Sequence, residues 1–198
     1  MSRFSDYLKA ISQINDLGNG LSCDVLKNLP LNSTNAFKMQ WLFYCGMLFS
    51  SRDKWWGDFK YRQSAHEGID ITFYRLNHKI HSFNDSIKIP AMEDGIVLNI
   101  CDDFLAKSLV IKQKTTVCNG QILFVYAHLI PKQDLKPGQI IKKNEVLATI
   151  CKNSKNPQLP PHLHFSCFEV PEDIRPEDLN WDFFSKSHDI NLINPVFL

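Results

Sequence analysis

Two short segments, far apart in the sequence, hold residue types that can do chemistry. The first contains His66 and Asp70, and the second contains two histidines one residue apart, His162 and His164. In a β-strand, residues i and i+2 project from the same face, roughly 6–7 Å apart. One imidazole of the pair can therefore bind a metal ion while the other reaches water on that metal. With His66 and Asp70 this makes three protein ligands, and three ligands with an open fourth position are what a hydrolytic zinc ion needs.

Each of these spacings also has a plainer explanation. His66-x-x-x-Asp70 arises often by chance, and two neutral histidines on a solvent-facing strand would account for His162-x-His164. Gly68 favours an extended segment around the first motif rather than a helix. Periodicity alone does not say which histidine of the pair would bind a metal.

A further candidate, His128, stands at the end of a predicted strand, two residues after Tyr126. A single histidine at a strand end is usually a surface residue. Tyr126 and His128 are expected to share a face, and loops and strand ends often carry function. Two more histidines, His78 and His81, are expected on a surface loop without a metal role.

The composition is that of an ordinary soluble globular protein, with 44% hydrophobic and 22% charged residues among 198. The formal net charge is +1 and no basic block stands out, so nothing favours nucleic acid or an anionic membrane surface as a partner. The most apolar window, residues 36–50, is too short to span a bilayer and predicts a buried helix or strand. The N-terminus lacks the pattern of a secretory signal. The six cysteines show no metal-ligand spacing, and most are expected to be reduced and buried.

From residue 66 onward the pattern predicts short strands separated by turns. The candidate strands are residues 69–74, 95–101, 108–112, 122–128, 145–151 and 163–169. Asn119-Gly120, between two of them, is a strong hairpin signal. No helical pattern separates the strands, so a mainly antiparallel sheet is expected. The tail, residues 171–198, is expected to form a short helix or loop that packs back on the sheet.

The first fifty residues have a different pattern. Phe4, Tyr7, Leu8 and Ile11 recur at helical spacing, and Ser5 is the expected N-cap. We therefore predict an N-terminal, partly helical extension, residues 1–60, that packs on or covers a domain of residues 61–198.

Three motifs in the same order resemble the signature of the lysostaphin-type zinc endopeptidases, which cut peptide cross-links in bacterial cell walls. These motifs are H-x-x-x-D from His66, Y-x-H-L from Tyr126 and H-x-H-F from His162. Residues 91–97 and 135–147 are also similar to segments of that family, and the resemblance covers roughly residues 60–198. It implies a mainly β fold, an antiparallel sandwich or barrel-like peptidase domain of the duplicated hybrid motif type.

The resemblance also implies a site and a reaction. His66, Asp70 and His164 would bind one zinc ion per chain. The catalytic residues His128 and His162 would accept a proton from water, and stabilise the oxyanion or protonate the leaving amine. The implied reaction is hydrolysis of a peptide amide in peptidoglycan cross-links or stem peptides. Such a substrate implies a periplasmic or extracellular protein, although this chain shows no signal peptide. We expect a monomer, but the sequence does not determine the oligomeric state.

The chain departs from the family pattern around the expected groove. Asn144 stands where the family usually has glycine, and Ser166 stands where a glutamate usually follows the last motif. The loop of residues 152–160 lacks the glycines and small residues that usually line the groove. These departures concern the substrate more than the metal ligands.

Two other functions and one regulatory device remain open at this point. A non-catalytic zinc-binding or protein-binding module on the same fold is the main alternative. A phosphocarrier domain with two close histidines is the second, and Asp70 and the H-x-H strand speak against it. The N-terminal extension could also hold the enzyme latent by placing Asn32 or Asn35 at the metal, although a simple packing role is the plainer hypothesis.

Overall fold

The structure, a computed structural model, describes residues 2–17, 39–117, 120–152 and 156–198, without the side chains of residues 115–117. The described part of the chain contains two α-helices, α1 (Arg3–Ile14) and α2 (Trp181–Lys186). It contains twelve strands: β1 (Gln40–Leu42), β2 (Ile69–Ile71), β3 (Phe73–Leu76), β4 (Lys79–His81), β5 (Lys88–Pro90), β6 (Gly95–Asp102), β7 (Lys107–Val117), β8 (Gly120–Pro131), β9 (Ile140–Ile141), β10 (Val146–Ile150), β11 (Leu163–Val170) and β12 (Asn191–Ile193). Short 3-10 helices lie at Cys45–Met47, Pro176–Asp178 and Pro195–Phe197.

The strands form one large and one small sheet, and every pairing within the described residues is antiparallel. In the large sheet the order is β12-β11-β8-β7-β6-β9, with β2 beside β11, and β10 joining β8 to β5. The small sheet has the order β1-β3-β4. The predicted mainly β, antiparallel fold with an N-terminal helix is therefore confirmed.

Strand β8 lies at the centre of the large sheet, and residues 120–129 along it are all buried. Phe124 packs in the core on the side of α1, while Leu123 and Val125 pack in a second cluster on the side of α2. Burial on both faces explains why the sequence of this strand is a continuous apolar run, without the alternation of apolar and polar residues seen in half-exposed strands. The predicted packing of the tail on the sheet is confirmed by Phe184 of α2, which stacks on Phe168 of β11 at 4.4 Å between ring centroids.

Helix α1 follows the predicted periodicity, because Phe4, Tyr7 and Ile11 are buried on one face. The predicted N-cap is wrong. Ser2 is the N-cap, and its hydroxyl accepts the main-chain N–H of Ser5, which lies inside the helix. At the other end, the Asn15 side-chain amide exchanges two hydrogen bonds with the main chain of Lys88, at 2.7 and 2.8 Å. The helix is thereby tied to β5 by polar as well as apolar contacts.

Two predictions about the elements need correction. Residues 69–74 do not form one strand, because the chain breaks at Thr72, whose hydroxyl donates to the Pro161 carbonyl and accepts from the Phe83 N–H. This break sends β2 to the large sheet and β3 to the small one. The described part of the apolar window, residues 39–50, forms β1 and a 3-10 helix and is only partly buried.

The cysteine prediction holds only in part. Four cysteines are free thiols within the described residues, but of these only Cys167 is buried and Cys45 is exposed. Cys23, Cys118, Asn119 and the proposed latency residues Asn32 and Asn35 lie outside the described residues. The pairing of Val117 with Gly120 agrees with a hairpin there. The domain division between residues 60 and 61 stays a prediction.

Tyr7 gives a test of how α1 docks. Its ring packs against Tyr126 and Phe165, and its hydroxyl has no hydrogen-bond partner among the described residues. Tyr7→Phe removes an unsatisfied buried group and is expected to raise the free energy of unfolding by about 1 kcal/mol. Tyr7→Ala leaves a cavity and is expected to lower it by about 3–5 kcal/mol. Urea unfolding measures both, and equal destabilisation by the two variants would contradict the contact pattern.

Candidate metal centre

The three predicted metal ligands meet at one buried point. His66 Nε2 lies 3.2 Å from Asp70 Oδ1, His164 Nδ1 lies 2.9 Å from the same oxygen, and the two nitrogens are 3.0 Å apart. Four-coordinate zinc with bonds of about 2.0–2.1 Å places its ligand atoms about 3.3 Å apart. The spacing and the donor set of two imidazoles and one carboxylate therefore fit a zinc ion.

Strand register brings two of these residues together. Asp70 on β2 and His164 on β11 are directly opposed partners in an antiparallel pair, so their side chains lie on the same face of the sheet. His66 reaches them from the extended segment just before β2, which passes closely over β11. Gly68 permits this approach, since a Cβ there would lie 2.5 Å from Ser166 Oγ and 2.6 Å from the Phe165 carbonyl oxygen.

The outward nitrogen of each ligand imidazole is held by a hydrogen bond. His66 Nδ1 lies 3.1 Å from the Leu48 carbonyl oxygen, so it carries the proton and donates. His164 Nε2 lies 2.8 Å from Ser166 Oγ, the residue at a position where the family pattern has glutamate. With these nitrogens as donors, the lone pairs of His66 Nε2 and His164 Nδ1 face the centre, as metal ligation requires.

Asp70 offers only one oxygen to the centre. Its Oδ2 accepts hydrogen bonds from Trp55 Nε1 at 2.6 Å and from the Arg62 guanidinium at 3.3 Å. Burial alone would raise the pKa of Asp70, but the imidazoles of His66, His162 and His164 outweigh it, through hydrogen bonds and through their charge whenever they are protonated. The pKa lies well below its usual value, so the carboxyl is ionised, as a metal ligand must be.

His162 lies beside the three predicted ligands and does not belong to their cluster. Its Nδ1 is 2.9 Å from the Pro160 carbonyl oxygen, while its Nε2 is 3.8 Å from Asp70 Oδ1. Burial lowers the pKa of His162 to about 3, although the charge of Asp70 opposes this. The imidazole is therefore neutral near pH 7, with Nδ1 as the donor and the lone pair of Nε2 turned toward the centre.

His128 faces the same centre from β8. Its ring centroid is 4.8 Å from that of His162, and its Nδ1 is 3.1 Å from Asp103 Oδ1. Burial would raise the pKa of Asp103, but the hydrogen bond and charge of His128 and further main-chain donors lower it well below its usual value. His128 is therefore paired with an ionised carboxylate.

All five predicted site residues thus lie together, whereas Tyr126 does not join them. The Tyr126 hydroxyl accepts the Met92 N–H in the core, and an extra residue in β8 breaks the expected alternation with His128. His78 and His81 are exposed, as predicted, but His81 lies in β4 rather than in a loop.

Sequence reasoning missed the residues that hold the ligands and bases in place. Trp55, Arg62 and Asp103 reach the site from irregular segments, so no periodicity relates them to the histidines. The only visible signal is the density of aromatic and charged residues in the segment 51–64.

A cleft of about 550 Å³ opens over the centre. Its apolar lining includes Trp56, Leu159, Phe104 and Trp181. The imidazoles of His128 and His162 line the cleft together with two of the proposed ligands, Asp70 and His164. A chain segment in the cleft would contact both the metal position and the two other histidines.

Three solved structures are similar to parts of this chain at low sequence identity. The catalytic domain of the antimicrobial peptidase lysostaphin from Staphylococcus simulans is 16% identical, with 84% of this chain and 98% of that chain covered and a TM-score of 0.45. A zinc-containing peptidase from Vibrio cholerae is 20% identical, with 65% and 32% covered and a TM-score of 0.44. The solution structure of lysostaphin is 17% identical, with 54% and 37% covered and a TM-score of 0.41. The chain thus spans about a third of the length of the last two proteins.

Among the described residues, no helix is long and apolar enough to cross a membrane.

The family of the chain is shown by comparison of its sequence with family models. No curated protein matches the chain. The model of peptidase family M23 matches residues 64–176. This match confirms the resemblance that the three motifs predict. Because it spans more than half of the sequence, the chain belongs to peptidase family M23.

Proposed function

We propose that this protein is a zinc-dependent endopeptidase that hydrolyses peptide amide bonds in peptidoglycan cross-links or stem peptides. The observation that carries the proposal is the convergence of three ligand atoms, His66 Nε2, Asp70 Oδ1 and His164 Nδ1, on one point. A peptidoglycan substrate would place the protein in the periplasm or outside the cell.

The residues around this point have distinct roles in the proposed mechanism. A zinc ion held by the three ligands would supply Lewis acidity and make water acidic enough to react at neutral pH. His162 and His128 are not needed as ligands, and each has its Nδ1 engaged by an oxygen. Their Nε2 atoms would share the proton transfers and the stabilisation of negative charge on the carbonyl oxygen.

The cleft supports a peptide substrate. Its aromatic walls, including Trp56 and Trp181, would exclude water from the reacting amide, which strengthens electrostatic interactions there. A main chain lying along the floor would bring its amide carbonyl near both non-ligand histidines.

Metal analysis tests the site. We expect about one zinc per purified wild-type chain, and we expect Asp70→Ala to lose it, because only two imidazoles then remain as ligands. His78→Ala is the matched control, since this histidine is exposed and outside the site. Equal zinc content in wild type and Asp70→Ala would place the metal elsewhere.

Cleavage assays with purified peptidoglycan and glycine-rich peptides distinguish the proposed metal ligand His164 from the proposed general base His162. His162→Ala is expected to keep zinc but to lose about 10²–10⁴ in rate, the contribution typical of general acid–base catalysis. His164→Ala is expected to lose both zinc and activity. If zinc-loaded wild type cleaves neither substrate, the chain is a binding module on the same fold rather than an enzyme.

The hydrogen bond from Trp55 to Asp70 predicts an effect on metal affinity. Trp55→Phe keeps an aromatic ring but removes the N–H that holds Asp70 Oδ2. We expect zinc affinity, measured by competition with a chelator, to fall by about 10- to 100-fold, as is typical when such a supporting contact is lost. Trp41→Phe is the control, because Trp41 packs on Tyr74 and Phe83 away from the site. Equal affinities in wild type and Trp55→Phe would show that Asp70 needs no such support.

A further inference from the structure

We propose that Asp103 is the positioning residue of His128: it fixes both the main chain and the ring of that histidine so that Nε2 faces the cleft. Asp103 can have this role only if His128 acts in catalysis, so the proposal rests on the proposed function.

A single carboxylate accepts both N–H groups of His128. Asp103 Oδ2 accepts the main-chain N–H at 2.9 Å, and Oδ1 lies 3.1 Å from the ring nitrogen Nδ1. The Asp103 side chain is only 1% exposed. Charge-assisted hydrogen bonds in such a site are stronger than neutral ones in water, so these two contacts define the position of the ring closely.

The main chain needs this partner because His128 occupies a β-bulge. The pairing of β7 with β8 advances from Lys107 to Leu109 on one strand but from Leu129 to Tyr126 on the other. Two residues of β8, Ala127 and His128, thus stand opposite one residue of β7. His128 has a left-handed φ of 67°. Bulges redirect side chains beside active sites and leave a ladder N–H unpaired. Here the carboxylate of Asp103 accepts that N–H.

Asp103 is itself held firmly. Its Oδ1 accepts the main-chain N–H groups of Leu105 and Ala106 at 2.8 and 2.7 Å. The Ser108 hydroxyl donates to Oδ2 at 2.8 Å and accepts from the Trp181 indole N–H, also at 2.8 Å. A chain of hydrogen bonds thus connects a wall of the cleft, through Ser108 and Asp103, to His128.

This arrangement determines which nitrogen of His128 is available. An ionised carboxylate only accepts hydrogen bonds, so Nδ1 must carry a proton and donate it. The ring then presents Nε2 to the cleft in the same tautomer at every turnover. A buried carboxylate on the far side of a catalytic imidazole has this effect in serine hydrolases as well, where it also stabilises the protonated ring.

The test is Asp103→Asn in the zinc-loaded protein. An asparagine accepts on one side only, so its NH₂ must face either the main-chain N–H or the ring N–H of His128. We expect kcat on the peptide cleaved by wild type to fall by about 10- to 100-fold with little change in KM. Asp94→Asn is the matched control, since Asp94 accepts a main-chain N–H from Lys143 outside the cleft and its kcat is expected to be unchanged. A wild-type kcat in Asp103→Asn would overturn the proposal.

A double-mutant cycle separates positioning from a general loss of stability. If Asp103 acts only through His128, Asp103→Asn is expected to cost nothing further in a His128→Ala background. A full additional loss of kcat there would show that Asp103 acts on the fold as a whole. Should Asp103→Asn fail to fold, Ser108→Ala removes one donor to the same carboxylate and is expected to lower kcat by a smaller factor. An unchanged kcat in that variant would overturn the proposal.

Nitrogen-15 NMR of the His128 ring gives a readout that does not depend on activity. In wild type the proton is expected on Nδ1 and protected from exchange, and in Asp103→Ala, which removes both acceptor oxygens, this protection is expected to be lost. A His128 ring with its proton on Nε2 in wild type would overturn the proposal. A protein that binds zinc and shows the expected ring proton but cleaves no peptide would instead refute the proposed function.

Discussion

The buried carboxylate of Asp70 is the constraint on which the rest of the site depends. An ionised carboxylate inside a protein is costly unless hydrogen bonds and opposite charges surround it. Here one oxygen lies against His66 and His164, while the other accepts from Trp55 and Arg62. Strand β2, strand β11 and the segment that precedes β2 must therefore all meet at this point. A divalent cation at the same place would complete the compensation of its charge.

A second carboxylate in the cleft lining, Asp103, follows the same principle. Asp70 contacts the other two proposed ligands, His66 and His164. Asp103 contacts His128, the proposed base on β8. In each of the four site histidines, the nitrogen that faces away from the centre is engaged by an oxygen, from Leu48, Asp103, Pro160 or Ser166. The inward nitrogens are thereby fixed in advance, which limits the reorganisation that catalysis would require.

Strand periodicity predicts those parts of the site that strands position. The spacing of the H-x-H pair predicts that both imidazoles reach one site, as they do, although His162 precedes β11 by one residue. The pairing of β11 with β2, which sets His164 opposite Asp70, was not predicted. The predicted strands were also largely right, because apolar runs such as β8 are buried on both faces. Contacts that come from bulges and loops could not be predicted in this way. The bulge at His128 removes Tyr126 from the cleft, and Thr72 divides one predicted strand between two sheets through side-chain hydrogen bonds. Asp103 has no periodic relation to His128, so only the folded chain reveals the pair.

The family match begins at residue 64, yet the segment before it supports two of the three proposed ligands. The Leu48 carbonyl orients His66, and Trp55 and Arg62 hold Asp70. Arg62 is also fixed by the carbonyl oxygens of Gly46 and Asp53. Removing residues 1–60 would take away both the Trp55 donor and the anchors of Arg62, and it would leave a buried carboxylate partly uncompensated, which is strongly destabilising. Residues 45–62 would therefore belong to the proposed metal centre. A deletion designed to test latency must retain this segment, because a protein without it would lose activity for reasons unrelated to an inhibitory N-terminus.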